Sequence, residues 1–165
     1  MKKLVRVPQS DHRDDGRPGV RGRQGLAALP PLSIYVHVPW CVHKCPYCDF
    51  NSHERTGELP EEDYLRALQA DLEQALPDVW GRPVSTVFFG GGTPSLLSAD
   101  AIDRIIGMLR SMLNLPPDVE ITLEANPGTA EAGRFQGYAQ AGVNRISLGI
   151  QSFDDDKLKR LGRIH

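Results

Sequence analysis

All three cysteines of the chain fall in one short segment, at Cys41, Cys45 and Cys48, with the spacing C-x3-C-x2-C. Three thiolates on a tight loop can each reach one iron of a [4Fe–4S] cluster, which is normally held by four cysteines. One iron would then lack a protein ligand and be open to a small chelating molecule. Trp40 and Phe50 flank the cysteines, and we expect them to screen a cluster from water.

The same segment allows two other interpretations. Zinc binds in Cys₃His sites, and His37, His43 and His53 lie nearby in the sequence. Structural zinc sites usually contain paired C-x2-C motifs, and the chain has no second pair. Inert thiols are the third interpretation. The spacing favours the cluster over zinc and zinc over inert thiols. We do not expect His37 or His43 to bind a metal, because a lone histidine is more often hydrogen-bonded to its neighbours.

Two further segments carry residues suited to ligand binding. Gly90–Gly92 has no Cβ atoms, so a ligand could approach this backbone closely. Glu124 is placed like the acids that accept hydrogen bonds from ribose or ammonium groups. Either feature could also be ordinary structure, namely a turn before Pro94 and a solvated acid.

The elements that must position these residues alternate regularly. Four strands are predicted from β-branched and aromatic segments at 33–38, 84–89, 119–123 and 144–150. Helices are predicted from apolar residues at helical spacing over 60–76, 99–113, 135–141 and 154–161. We expect Ser98 to cap the second helix and Gly142 to end the third.

This order predicts a parallel sheet with crossover helices, in which functional groups gather at the carboxyl ends of the strands. Each motif described above follows such a strand end. Four βα units do not close a barrel, and the last predicted helix stops at 163–165 without a recognisable cap. We therefore expect residues 31–165 to be the N-terminal part of a longer, truncated domain.

The cysteine spacing, with an aromatic residue before the last cysteine, resembles the radical S-adenosylmethionine (SAM) superfamily. The similarity extends over about residues 32–165 and is specific to the coproporphyrinogen-III-oxidase-like branch. Its marks are YVHVP at 35–39, FGGGTPS at 89–95, EANP at 124–127, RISLGIQSF at 145–153 and LGRIH at 161–165. The resemblance implies an α/β fold, a partial (β/α) barrel of radical SAM type of which about the first four βα units are present.

The resemblance also implies cofactors and the residues that bind them. The open iron would chelate the amino and carboxylate groups of SAM, and an electron from the cluster would cleave SAM to a 5′-deoxyadenosyl radical. Cys41, Cys45 and Cys48 would hold the cluster. The residues that match SAM contacts or line the cluster in the family are Tyr35, Tyr47, Gly91, Gly92, Thr93, Glu124, Gln151 and Arg163. None of these residues is assigned a catalytic role.

One position separates two functions within this branch. The oxygen-independent oxidase has a fourth cysteine two residues after the third, whereas Phe50 occupies that place after Cys48 here. The Cys-Asp-Phe ending and the segment 162–165 look like the heme-chaperone group, whose members bind a cluster, SAM and heme. We therefore expect a heme chaperone that delivers heme to acceptor proteins, without oxidase activity.

The alternative is an oxygen-independent coproporphyrinogen III oxidase of porphyrin biosynthesis. Partners implied by the resemblance are heme, heme-accepting proteins and, if SAM is cleaved, an electron donor. The histidine-rich heme motif of the family would lie beyond residue 165.

Composition and charge exclude several other classes. The chain has 165 residues, 40% apolar and 24% charged, as expected of a globular domain. No apolar run approaches the roughly 20 residues of a membrane-spanning helix. A net charge of −2 provides no general attraction for nucleic acid or anionic lipid. Three cysteines without a disulfide framework indicate a reducing compartment, and we expect the cytoplasm.

Residues 1–30 differ from the remainder of the chain. They carry seven Lys or Arg and three Asp, a net charge of +4, which leaves −6 on the other residues. The segment lacks the apolar core of a secretory signal, and its acidic residues and Gly/Pro content disfavour a transit peptide. We expect a disordered basic leader over 1–30, with an electrostatic tether to a polyanion as the alternative.

Overall fold

The computed structural model describes residues 29–127 and 132–163, so the leader predicted at 1–30 lies almost wholly outside the described residues. Helices and strands alternate within this part of the chain, as predicted. In chain order they are β1 (Leu32–Val38), β2 (Trp40–Cys41), β3 (His53–Glu54), α1 (Glu61–Val79), β4 (Val84–Gly91), α2 (Ala99–Met112), β5 (Glu120–Ala125), α3 (Ala132–Ala141), β6 (Arg145–Leu148) and α4 (Asp155–Leu161). A single 3₁₀ turn, Pro94–Leu96, lies between β4 and α2.

The main sheet contains four parallel strands in the order β1-β4-β5-β6. Across it, Tyr35 pairs with Phe88, Phe88 with Thr122, and Thr122 with Arg145. Because each strand lies beside the one before it in the sheet and all run parallel, their carboxyl ends share one edge. The predicted α/β fold, with four βα units of a partial barrel, is confirmed.

The two faces of the main sheet differ in chemistry. One face is apolar and forms a single core with the helices. The largest buried side chains of this core include Val38, Val87, Phe89, Ile121 and Leu123 from the strands and Ile102, Ile105 and Tyr138 from the helices. Burying a side chain of this size contributes about 1.5–3 kcal/mol. The other face is polar, and there Arg145 donates hydrogen bonds to Glu120 and Thr122, both at 3.3 Å. Parallel sheets usually have two apolar faces, so a polar face suits a sheet that curves around an interior with the helices outside.

Local signals set the helix ends. Ser98 caps α2 as predicted, because its hydroxyl accepts a hydrogen bond from the N–H of Ala101. Helix α1 runs to Val79, past the predicted end and through Pro77. The expectation that α4 ends without a cap is wrong, because Gly162 has a left-handed φ of 65° and its N–H bonds the carbonyls of Leu158 and Lys159.

Two strands end later than the sequence predicts. Strand β4 continues through Gly91, since Gly90 and Gly91 pair with His37 and Val38 of β1. Strand β5 ends at Ala125, so Glu124 lies inside the strand and not after it. Among the residues that the structure describes, no helix is both long enough and apolar enough to cross a membrane.

Candidate metal and cofactor site

The cysteines lie on a loop that is closed at its base by the short parallel pair β2 and β3. The N–H of His53 donates to the carbonyl of Pro39 at 2.7 Å, and the N–H of Arg55 donates to the carbonyl of Cys41 at 2.9 Å. Sequence reasoning missed this pair, because two-residue strands give no alternating pattern. We call residues 39–55 the cysteine loop.

Internal hydrogen bonds shape the cysteine loop. The N–H of Cys48 donates to the carbonyl of Cys45 at 3.1 Å, which makes a tight turn between these two cysteines. The ammonium of Lys44 donates to the carbonyl of Ser52 at 2.9 Å. Ser52 is fully buried, and its hydroxyl lies 3.9 Å from the Sγ of Cys48. The thiols are therefore presented by a folded loop.

All three cysteines are free thiols and line one cleft at the carboxyl ends of the strands. The cleft has an empty volume of about 790 Å³, which includes space open to solvent. The predicted residues that line it are Cys41, Cys45, Cys48, Tyr47, Gly91, Gly92, Thr93, Glu124, Gln151 and Arg163. Tyr35 does not line the cleft and lies on β1, two strands from Glu124 in the sheet. Ten of the eleven predicted site residues thus share one cavity.

Gly92, directly after β4, makes room for the cysteine loop. A Cβ at Gly92 would lie 2.5 Å from the carbonyl oxygen of Trp40 and 3.0 Å from the Sγ of Cys41. The N–H of Gly92 donates to Val38, and the N–H of Thr93 donates to Trp40, both at 2.7 Å. The sequence predicted that the absence of Cβ atoms leaves space for a ligand. In the structure, the space beside Gly92 is occupied by the backbone of Trp40.

Glu124 is a half-buried carboxyl in the wall of the cleft. Burial raises its pKa above the ordinary value of 4.5, and a hydrogen bond from the backbone of Gly91 partly opposes that shift. Burial and the nearby charge of Glu124 also raise the pKa of the Tyr35 hydroxyl. The site therefore holds its acid in surroundings that favour a cationic ligand beside it.

The nearby histidines are engaged with protein groups. The Nε2–H of His37 donates to the carbonyl of Asn51 at 2.8 Å, which leaves Nδ1 to accept from the Tyr35 hydroxyl at 3.4 Å. His43 pairs with Glu54 at 3.2 Å on the surface. His37 thus ties β1 to the cysteine loop, in the hydrogen-bonded role expected of it.

Arg163 joins three loops at the cleft. Its guanidinium donates to the Sγ of Cys45 at 3.0 Å, to the Oδ1 of Asn126 at 3.2 Å and to the carbonyl of Gly149 at 3.2 Å. Asn126 in turn donates to the hydroxyl of Thr93 at 3.3 Å. Sequence reasoning gave Asn126 no role, although it lies within the EANP segment; its partners become visible only where the loops meet.

The donor set fits a multi-iron cluster better than a single ion. Within 29–127 and 132–163, no three His, Cys, Asp or Glu side chains converge as ligands of one metal ion. The thiols instead surround a cleft, and in a [4Fe–4S] cluster each thiolate binds a different iron. Phe50 borders this cleft but is 61% exposed. The expectation for Trp40 is wrong, because its ring packs edge-on against Tyr64, 5.1 Å away, and lines a different cavity.

Comparisons with known proteins agree with this architecture. The sequence model of the radical SAM superfamily matches residues 35–165. The chain is 59% identical over 140 residues to heme chaperone HemW of Escherichia coli K12, covering 85% of this chain and 37% of that protein. It is 56% identical over 144 residues to heme chaperone HemW of Haemophilus influenzae, covering 85% of this chain and 38% of that protein. The chain therefore spans less than two fifths of the length of these relatives.

A solved structure shows the same fold. It is the coproporphyrinogen III oxidase HemN of Escherichia coli, described as a radical SAM enzyme, with a TM-score of 0.74 and 32% sequence identity. The similarity covers 82% of this chain and 31% of that one. A family match over most of the chain, three free thiols on one cleft and the four-strand parallel sheet all agree. The chain belongs to the radical SAM superfamily, in which a [4Fe–4S] cluster acts together with SAM.

Proposed function

We propose that Cys41, Cys45 and Cys48 hold a [4Fe–4S] cluster and that the remainder of their cleft binds SAM. Three free thiols on a preformed loop, beside a half-buried carboxyl, support this assignment. When bound, the cluster supplies electrons at low potential and keeps one iron open for the amino and carboxylate groups of SAM.

The backbone after β4 indicates how SAM would be held. The N–H groups of Gly91, Gly92 and Thr93 are already donated to Glu124, Val38 and Trp40 respectively. Contacts from this segment to SAM must therefore use its carbonyl oxygens or the Thr93 hydroxyl. These groups accept hydrogen bonds, so they suit the ammonium of the methionine part.

The other predicted contacts complete the proposal. Glu124 would accept hydrogen bonds from an ammonium or ribose group, and burial strengthens such a contact because water competes less. Gln151, Arg163 and Tyr47 reach the same cleft. Tyr35 would act from the polar face of the sheet, where the charge of Glu124 contributes to the raised pKa of its hydroxyl.

We propose further that the full-length protein is a cytoplasmic heme chaperone, of which residues 31–165 form the N-terminal part of the radical SAM core. The 59% identity to a heme chaperone over 140 residues is the observation that carries this proposal. Phe50 supports it, because the cleft has an aromatic ring where the oxidase pattern has a fourth cysteine. The partners would be heme, heme-accepting proteins and an electron donor if SAM is cleaved. Residues 1–30 would be a basic leader.

The test uses full-length protein, reconstituted with iron and sulfide without oxygen. We expect iron and sulfide at the level of a [4Fe–4S] cluster, heme binding seen as a Soret band, and no oxidation of coproporphyrinogen III with SAM and a reductant. Substantial formation of protoporphyrinogen by the wild-type protein would contradict the chaperone proposal.

The Phe50→Cys variant is the control for the missing cysteine. Radical chemistry on a propionate requires cluster, SAM and substrate to be held in near-attack geometry. One added thiol supplies none of that positioning, so we expect the variant to remain inactive as an oxidase while it still binds heme.

A coproporphyrinogen III oxidase remains the second candidate, favoured by the structural similarity to HemN at a TM-score of 0.74. The same assay separates the two, because only an oxidase must turn SAM over with coproporphyrinogen. A chaperone could use SAM binding to shift its conformational populations without turnover.

A further inference from the structure

The sulfur of Cys45 accepts a hydrogen bond from a cationic side chain in the cleft. The Nη1 of Arg163 donates to its Sγ at 3.0 Å. A guanidinium therefore donates to one prospective cluster ligand.

The guanidinium is held in place from outside the cysteine loop. Its second nitrogen donates to the Oδ1 of Asn126 after β5 and to the carbonyl of Gly149 after β6, each at 3.2 Å. Gly162, the left-handed cap of α4, immediately precedes Arg163 and fixes where the side chain starts. The contacts with Asn126 and Gly149 thus fix the position from which Arg163 presents one N–H to Cys45. No bound ligand takes part in this contact.

Hydrogen bonds to the sulfur atoms of a cluster change its reduction potential. The reduced cluster carries one more negative charge than the oxidised cluster, so a cation and hydrogen-bond donors at a thiolate stabilise the reduced form more. The surrounding groups of a metal site tune it in this way without binding the metal.

We propose that Arg163 raises the reduction potential of the cluster by donating a hydrogen bond to the Sγ of Cys45. The inference rests on the proposed cluster site and gives Arg163 a role that is present before SAM binds. The resemblance to the family implies only that Arg163 lies beside SAM.

The experiment measures the potential of the reconstituted full-length protein without SAM, by redox titration followed by electron paramagnetic resonance. For Arg163→Gln we expect the equilibrium constant for reduction to fall about tenfold, which is about 59 mV for a one-electron couple. Arg163→Lys keeps the positive charge but loses the planar guanidinium with its several N–H donors. Its reduction potential should therefore lie between those of wild type and Arg163→Gln.

Arg160→Gln is the matched control, since it removes the same charge from the exposed surface of α4 and Arg160 does not line the cleft. Its potential should equal that of wild type. Iron and sulfide are measured in every variant, and if Arg163→Gln fails to retain a cluster, Arg163→Lys carries the test.

The sign of the shift separates hydrogen bonding from a loosened loop. Water admitted to a cluster stabilises its more highly charged reduced form and raises the potential. A potential that rises or stays unchanged in Arg163→Gln, with full iron content, would overturn the inference and leave the cluster assignment intact. A wild-type protein without iron would instead overturn the proposed function.

Discussion

At the scale of single residues, the three thiols have no substitute in the chain, because Cys41, Cys45 and Cys48 are its only cysteines. We expect an alanine at any one of them to abolish the broad visible absorbance of the reconstituted full-length protein. Iron, sulfide and absorbance after anaerobic reconstitution are the measurements. Val42→Ala, in the same loop but outside the cleft, should retain the cluster. Full iron content in a cysteine variant would refute its assignment as a ligand.

Glu124 predicts a pH dependence of stability. Its folded-state pKa is raised above 4.5 by burial, so the folded protein binds this proton more tightly than the unfolded chain does. The favourable contribution is therefore fully present below the unfolded pKa and is lost as the pH rises through the folded pKa. We expect Glu124→Gln to be more stable than wild type at about pH 7 without ligands, the difference vanishing toward about pH 4. Urea unfolding followed by circular dichroism measures the stability of wild type and Glu124→Gln at each pH.

The same carboxyl predicts the opposite trend for ligand binding. The ionised form accepts hydrogen bonds from an ammonium, so the affinity for SAM should fall as the pH drops through the raised pKa of Glu124. Glu124→Gln should bind SAM weakly and without this pH dependence. Glu73→Gln, on the exposed face of α1, is the control and should behave as wild type. An unchanged SAM affinity in Glu124→Gln would remove Glu124 from the site.

The residues of the site divide by how their role is encoded. Three thiols at a fixed spacing carry their chemistry in the sequence itself, so the cysteines could be identified without a structure. The roles of Asn126 and Gly92 depend on distances between loops that are far apart in sequence. Asn126 bonds both Arg163 and Thr93, and Gly92 faces the carbonyl of Trp40. No local pattern encodes such contacts.

At the scale of elements, the contact between the end of β4 and the cysteine loop is the tightest in the site. A methyl group at Gly92 would meet backbone atoms of Trp40 at 2.5 and 2.8 Å, and backbone cannot rotate away. We expect Gly92→Ala to displace the cysteine loop and to lose most of the cluster in the iron and sulfide assay. Gly107→Ala, inside α2 with open space around it, should keep the cluster and gain about 0.5–1 kcal/mol of stability. Normal cluster loading in Gly92→Ala would contradict this packing.

Helix α3 holds the segment after the glycines. The buried hydroxyl of Tyr138 lies 2.9 Å from the carbonyls of both Ser95, inside the 3₁₀ turn, and Leu97, directly after it. Arg134 also donates to the Ser95 carbonyl at 3.1 Å, so removing the hydroxyl chiefly deprives the Leu97 carbonyl of its donor, which costs about 1–3 kcal/mol. We expect Tyr138→Phe to unfold at lower urea concentration and to bind SAM more weakly, with cluster content unchanged. Wild-type stability in this variant would show that other donors replace the hydroxyl.

Regular elements could be predicted because their signals are local. The helical spacing of apolar residues and the Ser98 cap placed α2 correctly. The β2–β3 pair and the extension of β4 through Gly91 were missed, since each depends on a partner strand that satisfies the backbone. Strand ends in this protein are therefore set by pairing more than by residue preference.

At the scale of the whole molecule, β6 lies at an edge of the four-stranded sheet. Ile146 and Leu148 of β6 are 36% and 48% exposed, and Ile150, just after the strand, is 43% exposed. An exposed edge with apolar side chains favours association with other chains. We expect residues 1–165, expressed alone, to be insoluble or molten, and the full-length protein to unfold cooperatively. A soluble monomeric fragment with a sharp thermal transition would show that these residues form a complete domain.

The overall architecture was accessible from the order of its segments and from the family resemblance. The polar face of the sheet was not, because it depends on which strands pair and in which register. Arg145, Glu120 and Thr122 form their hydrogen bonds only after two neighbouring strands have paired in register.

The contact between Arg163 and Cys45 spans 118 residues of sequence, and this separation has a consequence during synthesis. A ribosome adding about 5–20 residues per second completes Arg163 roughly 6–24 s after Cys45. During that interval the nascent cysteine loop lacks its arginine donor and the strands that support it. The thiols are then at their most vulnerable to oxidants and to foreign metal ions. Cluster insertion into the finished fold, after the fourth βα unit has been made, avoids that period of exposure.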